Sequence, residues 1–246
     1  MRPWKDLALS SATEANARST RFTYSNFDGI KVTLYAKLIA SVEEKIAGST
    51  VSKTTYSRSS TPVNGEPAAT EVETVYASAT LFQTTSTTTY HFTASPFLAN
   101  RPAAIVYPDG RKDTYSYEKG NYVVNADPSL NQFVPDVNGN AERTTLVHGT
   151  AASPDGVAFK TTKEVAVRDS SGHGVLQEVY VHNGSNYERL AWKVTDYDTR
   201  GHVIQTRDHR GQVTSASWNG DLMSSDIDAG GVQTDYTYDS LNRVKT

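Results

Sequence analysis

Apolar and polar residues alternate along much of this chain. From Val32 to Ile46 the even positions read Val, Leu, Ala, Leu, Ala, Val, Glu, Ile, while the odd positions from Lys31 to Lys45 are mostly polar. A period of two places every second side chain on one face, the pattern of a half-buried strand or a bent pair of strands. Leu38, Ile39, Val42 and Ile46, stopped by Gly48, also fit a helical stripe; both readings stand here, with strand preferred. The same alternation recurs in "EVETVYASATLFQT", "TTTYHFTA", "GRKDTYSYE", "VLQEVYVHN" and "GVQTDYTYD". No second long helical period appears, so the expected fold class is all-β.

The segments between these strands carry turn chemistry. Asx-Gly pairs stand at Asp28-Gly29, Asn64-Gly65, Asp109-Gly110, Asn138-Gly139, Asp155-Gly156, Asn183-Gly184 and Asn219-Gly220, with Gly230-Gly231 similar. Asn, Asp and Gly tolerate the positive φ that a type I′ turn needs at both central residues. The expectation is a chain that folds back on itself repeatedly as antiparallel hairpins. Two stretches rich in Ser and Thr, 49–61 and 84–89, read as solvated strand faces, since Thr suits strands; a flexible or glycosylated linker is the alternative.

Composition narrows the class. The 246 residues are 37% hydrophobic, with 14 Tyr against 7 Phe, a globular and strand-rich profile rather than a disordered one. A formal net charge of −3 argues against a nucleic-acid partner. With no Cys, neither disulfides nor thiolate zinc can hold the fold. No apolar run approaches the ~18 residues of a membrane-spanning helix. Near the N-terminus only Leu7-Ala8-Leu9 is apolar, too little for a signal peptide, which fits a start internal to a longer gene.

A repeat emerges on aligning turn glycines. Gly110 precedes Tyr117, Gly211 precedes Trp218 and Gly231 precedes Tyr238, each by seven residues. Each aromatic opens a second turn: "YEKG", "WNG" and "YDSLN", with Tyr197 opening "YDTRG". Tyr197, Trp218 and Tyr238 stand 21 and 20 residues apart. A fixed period near twenty, two strands and two turns to the unit, is the signature of a stacked array. Turns are expected near 199–201, 209–211, 219–220, 229–231 and 240–242. The pairs Asp198 with His202 and Asp239 with Arg243 flank single turns and can pair or bond the turn backbone. Tyr rings at matched positions are expected to form ladders on one sheet face.

These phrases resemble the RHS/YD-repeat family. The resemblance rests on "YDTRGHVIQTRDHRGQVTSASW", "GGVQTDYTYDSLNRV" and, in a Pro-Asp-Gly variant, "NRPAAIVYPDGRKDTYSYEKGNYV". Several positions depart from it. Asn242 replaces the turn Gly, "WNG" is two residues shorter, "YEKG" is one shorter, and His202 stands where Arg usually follows the Gly. The family's repeats form a sheet strip that spirals into a hollow shell around a toxic C-terminal domain in bacterial toxins, or form a large extracellular body in teneurins. The resemblance implies a twisted or spiralling strip of antiparallel hairpins. It divides into 1–89, a divergent Ser/Thr-rich β region; 90–123, a repeat-like segment; 124–194, an irregular β insertion; and 195–246, regular repeats cut at the C-terminus. It also implies a fragment of a larger secreted or cell-surface protein. The partners are then the rest of the same polypeptide and an enclosed toxin domain. The structural repeat positions are Gly110, Tyr117, Tyr197, Asp198, Gly201, Gly211, Trp218, Gly231, Tyr238, Asp239 and Arg243.

Enzyme and ligand signals are weak. The six histidines form no metal-binding spacing, and Ser171-Gly172-His173-Gly174 lacks the nucleophile elbow of a hydrolase. "DIDAGG" at 226–231 is half of a calcium loop without its remaining ligands. Asp196, Asp198 and Asp208 near His202 and His209 read as solvated turns rather than a metal site. Asn183-Gly184-Ser185 is a glycosylation sequon, relevant in a eukaryotic secreted protein. No catalytic residue, cofactor or metal is expected. The alternative to a structural shell segment is a carbohydrate-binding β-module, with Trp4, Trp192, Trp218 and neighbouring Tyr as its platform. Exposed coplanar aromatics would favour that module; buried or shell-facing ones would favour the shell.

Overall fold

The structure is a computed structural model that describes residues 18–25, 38–78 and 80–245. The Asp28-Gly29 pair, the alternating positions 32–37 and Trp4 lie outside the described residues. The chain divides into two compact units, Met1–Thr114 and Tyr115–Thr246.

Strand alternation and frequent turns yield a nearly pure β fold. In the first unit run β1 (Arg18–Ser25), β2 (Leu38–Ile46), β3 (Ser49–Ser60), β4 (Ala68–Tyr76), β5 (Phe82–Tyr90) and β6 (Pro102–Val106). β7 (Lys112–Val123) opens there and continues into the second unit. The second unit holds β8 (Gln132–Pro135), β9 (Ala141–His148), β10 (Thr162–Arg168), β11 (Gly174–His182), β12 (Tyr187–Tyr197), β13 (Val203–Asp208), β14 (Val213–Asn219), β15 (Leu222–Ile227) and β16 (Gln233–Asp235). β1 to β16 form one antiparallel sheet of 16 strands in chain order, with β8 paired to β7 beside the main path; it does not close into a barrel. β17 (Thr237–Tyr238) and β18 (Val244–Lys245) make a separate two-stranded ribbon.

Residues 38–46 are strand, not helix. β2 pairs with β1 and β3 on either side. Its apolar face is only partly covered, since Val42 is half-buried and Ile46 exposed. On the opposite face Ser41 is buried, with its Oγ 2.7 Å from Thr23 Oγ1. Both Ser/Thr-rich stretches are strands, β3 and most of β5. Their hydroxyls pair across the sheet, as Thr70 with Thr88 at 2.9 Å, beside the ion pair of Arg58 with Glu71. Among the described residues the buried apolar set of this unit is small: Ala68, Tyr90, Ala94 and Ala103.

The second unit has the larger apolar core. Val167, Leu176 and Val194 face one another directly across β10, β11 and β12 and are 0–1% exposed. Val165, Val175 and Ala141 extend the cluster, with Tyr122, Phe133, Tyr180, Trp192 and Tyr197 packed against it. Burying a Val or Leu side chain contributes roughly 1.5–3 kcal/mol. Tyr122 and Phe133 arrive on the β7–β8 arm, whose short 3₁₀ turn (Pro128–Leu130) is capped by Asp127 accepting from Ser129 N–H at 2.9 Å. Burial, followed by the charge and hydrogen bond of Glu178, pushes the Tyr180 hydroxyl up to about 12.

"YEKG" is not a turn. Tyr117 lies inside β7, which runs without a break from Lys112 to Val123. Gly120 serves a different end. A Cβ there would meet Val134 O at 2.3 Å and the Phe133 ring at 2.4 Å, so the missing side chain lets β8 approach. The type I′ expectation also needs correction. Among the described residues only Asn64-Gly65, of the Asx-Gly pairs, has positive φ at both positions. Ala47-Gly48 is a second such turn, at φ 49° and 82°, without an Asx residue to signal it.

Candidate functional site

Five other hairpins use one loop design. In "DSSGH", "DTRGH", "DHRGQ", "DAGGV" and "DSLNR" the fourth residue donates its N–H to the carbonyl of the first: Gly172 to Asp169, Gly201 to Asp198, Gly211 to Asp208, Gly231 to Asp228 and Asn242 to Asp239, at 3.0–3.1 Å. This is a type I turn followed by one left-handed residue, so only that fourth residue needs positive φ; the values run from 59° at Asn242 to 90° at Gly201. The Asp carboxylate locks each loop. Its Oδ1 accepts from the N–H groups two and four residues on, as Asp198 does from Arg200 at 2.8 Å and His202 at 2.9 Å. Asp169, Asp208, Asp228 and Asp239 repeat that pair of bonds. Gly110, at φ 84°, ends a loop of the same shape that begins at Tyr107.

In an antiparallel meander, alternate hairpins lie at the same end of the strands. The loops β10–β11, β12–β13 and β14–β15 therefore share one edge, and there the structure adds a second layer. His173 Nδ1 lies 3.2 Å from Asp169 Oδ2, and the His173 ring stacks on Tyr197, centroids 4.6 Å apart. His202 Nδ1 lies 2.9 Å from Asp198 Oδ2, and its ring stacks on Trp218 at 4.4 Å. The aromatic's polar end reaches the carbonyl one residue past the histidine: Tyr197 Oη donates to Gly174 O at 3.2 Å and Trp218 Nε1 to Val203 O at 3.0 Å. In the next unit Tyr238 Oη donates to Met223 O at 2.7 Å, with Leu222 at the histidine's position.

A bulge aims each of these contacts. Register slips by one residue at Val167/Arg168, Asp196/Tyr197 and Ser217/Trp218, leaving Val175, Ile204 and Ser224 as the extra residues on the returning strands. A bulge bends its strand and disrupts the ladder locally, and the aromatic donor satisfies the carbonyl beside it. Successive turns also touch. A Cβ on Gly201 would lie 2.7 Å from His173 Nε2, and Arg200 reaches Asp221 of the following loop at 3.3 Å.

The electrostatics follow the loops. Burial alone pushes the Asp198 carboxyl up, but the His202 N–H, the His202 ring and the Arg200 N–H outweigh it and hold it below its ordinary value. Asp169 is lowered against burial in the same way by His173 and Ser171. Asp239 is lowered chiefly by the Arg243 N–H and guanidinium, whose Nε lies 2.7 Å away.

Of the sequence-derived positions, the structure joins Tyr197, Asp198, Gly201, Trp218, Tyr238, Asp239 and Arg243 in this edge. Gly211 and Gly231 sit in loops at the opposite edge. Sequence reasoning did not name Asp169 and weighed His173, Asp208 and Asp228 only as weak nucleophile, metal or calcium signals, although Asp-x-x-Gly marks all their loops. Tyr197 and Trp218 lay their rings on the histidine of the preceding turn, and Tyr238 reaches the Met223 carbonyl of the hairpin before it. Tyr115, Tyr117, Trp192, Tyr197, Trp218, Tyr236 and Tyr238 are all half-buried. Ser171 donates its N–H within its own turn, and Asp226 accepts from Tyr236 Oη at 2.7 Å. Among the described residues no group of three or more His, Cys, Asp or Glu could hold a metal ion, and no helix is long and apolar enough to cross a membrane.

No protein-family model matches the chain, and no curated protein matches it. Among solved structures it is similar to the crystal structure of TcdB2-TccC3-TEV, at 11% identity and a TM-score of 0.30. That match covers 84% of this chain and 16% of the other, so the chain spans about a sixth of that protein's length.

Proposed function

We propose that this chain is a non-catalytic wall segment of a larger RHS-type protein, secreted or displayed at a cell surface. Its partners are the rest of the same polypeptide and, in a toxin, an enclosed C-terminal effector domain. One observation carries the reading: three successive units along one edge repeat the same lock, Tyr197 on Gly174, Trp218 on Val203 and Tyr238 on Met223. A lock that ties each turn to the one before it is the device of an array whose units stabilise their neighbours. The residues with chemical potential, His173, His202 and their Asp partners, are engaged in it. Trp218 has its ring covered by His202 and its indole N–H bonded, which leaves little of a sugar-binding platform.

Limited proteolysis of the full natural polypeptide tests the reading. The span 115–245 is expected to resist digestion together with flanking sequence, and soluble oligosaccharides are expected to leave the tryptophan fluorescence unchanged. Release of the span as an independent soluble domain, or saturable quenching by a sugar, would overturn it. So would an enzymatic activity that His202→Ala abolishes with folding intact.

A further inference from the structure

Three of the Asn-Gly pairs lie in hairpin loops of similar sequence, and a fourth lies in the arm beside β8, yet their side chains are held very differently. Asn183 is pinned on every side. Its Nδ2 donates to Glu188 Oε1 at 2.6 Å, and its Oδ1 accepts from the N–H groups of Ser185 and Asn186. The following Gly184 N–H is committed to His182 Nδ1 at 3.1 Å. At Asn138 the following Gly139 N–H donates to Asp136 O at 2.9 Å, and Gly139 is pressed on the Gly120 backbone, where an added Cβ would lie 2.1 Å from Gly120 O. Asn219 differs. It is exposed at the end of β14, and among the described residues neither its side chain nor the Gly220 N–H has a hydrogen-bond partner. A Cβ on Gly220 would meet only Arg200 Nη1, at 3.6 Å, so the space around that amide is open. Asn64, at the tip of its type I′ turn, is likewise exposed and unpartnered, as is Gly65 N–H.

We propose that Asn219-Gly220 is a site of spontaneous deamidation, with Asn64-Gly65 a second, and that the fold protects Asn138 and Asn183. The chemistry needs only water. The Gly220 amide nitrogen attacks Asn219 Cγ; the new C–N bond closes a cyclic imide while the Cγ–Nδ2 bond breaks. Nδ2 leaves as ammonia, taking up the proton lost from the glycine amide. Water then opens the imide at Cγ to give Asp, or at the main-chain carbonyl to give isoaspartate. An amide N–H already bonded to an acceptor, or an Asn side chain held by three partners, must first be released, and that local opening slows the step.

At Asn219 the site has a consequence for the turn ladder. Asn219 pairs with Leu222 across a two-residue loop, and loop length sets hairpin register. Isoaspartate inserts an extra main-chain atom there. Trp218 is the neighbouring residue, so its bond to Val203 O and its stack on His202 are the contacts first disturbed. Modification at Asn219 therefore loosens one rung of the turn ladder, and Asp at this position adds negative charge beside Asp221.

The test ages the purified chain at mildly alkaline pH and follows all four sites by peptide-mapping mass spectrometry. The same chain in denaturant supplies each site's unprotected rate. Asn219 and Asn64 are expected within about threefold of their denatured rates, and Asn138 and Asn183 slowed about tenfold or more, the margin that a local opening step imposes. Suppression at Asn219 as strong as at Asn183, or modification of Asn183 in the folded chain at its denatured rate, overturns the proposal.

Discussion

Gly201 does two jobs where Gly211 and Gly231 do one. It takes φ 90°, and its missing side chain leaves room for His173 of the preceding turn. Gly211 and Gly231 share the left-handed backbone, at 76° and 81°, but a Cβ on either meets nothing within 4 Å. Placing a side chain in left-handed backbone costs about 1–2 kcal/mol. Gly211→Ala and Gly231→Ala should lose about that much in denaturant melts. Gly201→Ala should lose more, because the His173 ring must move as well; equal losses for the three would show that the ladder does not bear on Gly201. The carboxylates give a second residue-scale expectation. Asp169, Asp198 and Asp239 have lowered folded pKa values. A lowered folded value contributes stability above the unfolded value, near 3.8 for Asp198, and that stability is lost as pH falls through the folded value. Asp198→Ala should therefore destabilise the chain at pH 6 and progressively less below about pH 4. A stability difference from the parent that stays constant between pH 6 and pH 3 would contradict this.

At the scale of the element, the unit is a turn, a bulge and an aromatic donor acting together. Trp218→Phe keeps a ring to stack on His202 but removes the donor to Val203 O. The expected loss is ~0.5–1.5 kcal/mol, the net contribution of one hydrogen bond, and Trp218→Ala should cost several times that. If Phe and Ala behave alike at 218, the stack contributes nothing. The parts of this unit differ in how legible they were. Strands and turns could be read because alternation and Asp-x-x-Gly act over a few residues. The turns expected at 199–201, 209–211, 229–231 and 240–242 fall there, while the one expected at 219–220 turns on Gly220 and Asp221, with Asn219 still in the strand. The His–aromatic stacks could not be read, since partners such as His173 and Tyr197 lie far apart in sequence and meet only once a bulge has set the register. Tyr-x-x-Gly at 117–120 shows the converse. A similar phrase, one residue longer, marks a turn at 197, whereas 117 lies in an uninterrupted strand, because Gly120 answers to Phe133 and β8 rather than to its own backbone.

At the scale of the molecule, the two units bury different material, and their stabilities should differ accordingly. In Met1–Thr114 the buried apolar residues among those described are three alanines and Tyr90; Tyr115–Thr246 buries Val165, Val167, Val175, Leu176 and Val194 around one point. Local stability tracks buried apolar contact, and amide exchange reports it segment by segment. β10, β11 and β12 should be the slowest-exchanging strands. β16, paired on one side only and exposed along its length, should be among the fastest. Leu176 is the residue to perturb: it is 1% exposed and stands directly between Val167 and Val194. Truncation to Ala removes buried methyl groups and leaves a cavity, a loss of about 2–5 kcal/mol in well-packed sites. Exchange in β10–β12 should then speed up by at least ~30-fold, the equivalent of about 2 kcal/mol. The Thr-paired strands β4 and β5 do not depend on that cluster and should keep their rates. If β4 and β5 accelerate as much as β10–β12, the chain unfolds as one cooperative body. If no strand accelerates, Val167, Leu176 and Val194 do not anchor the sheet.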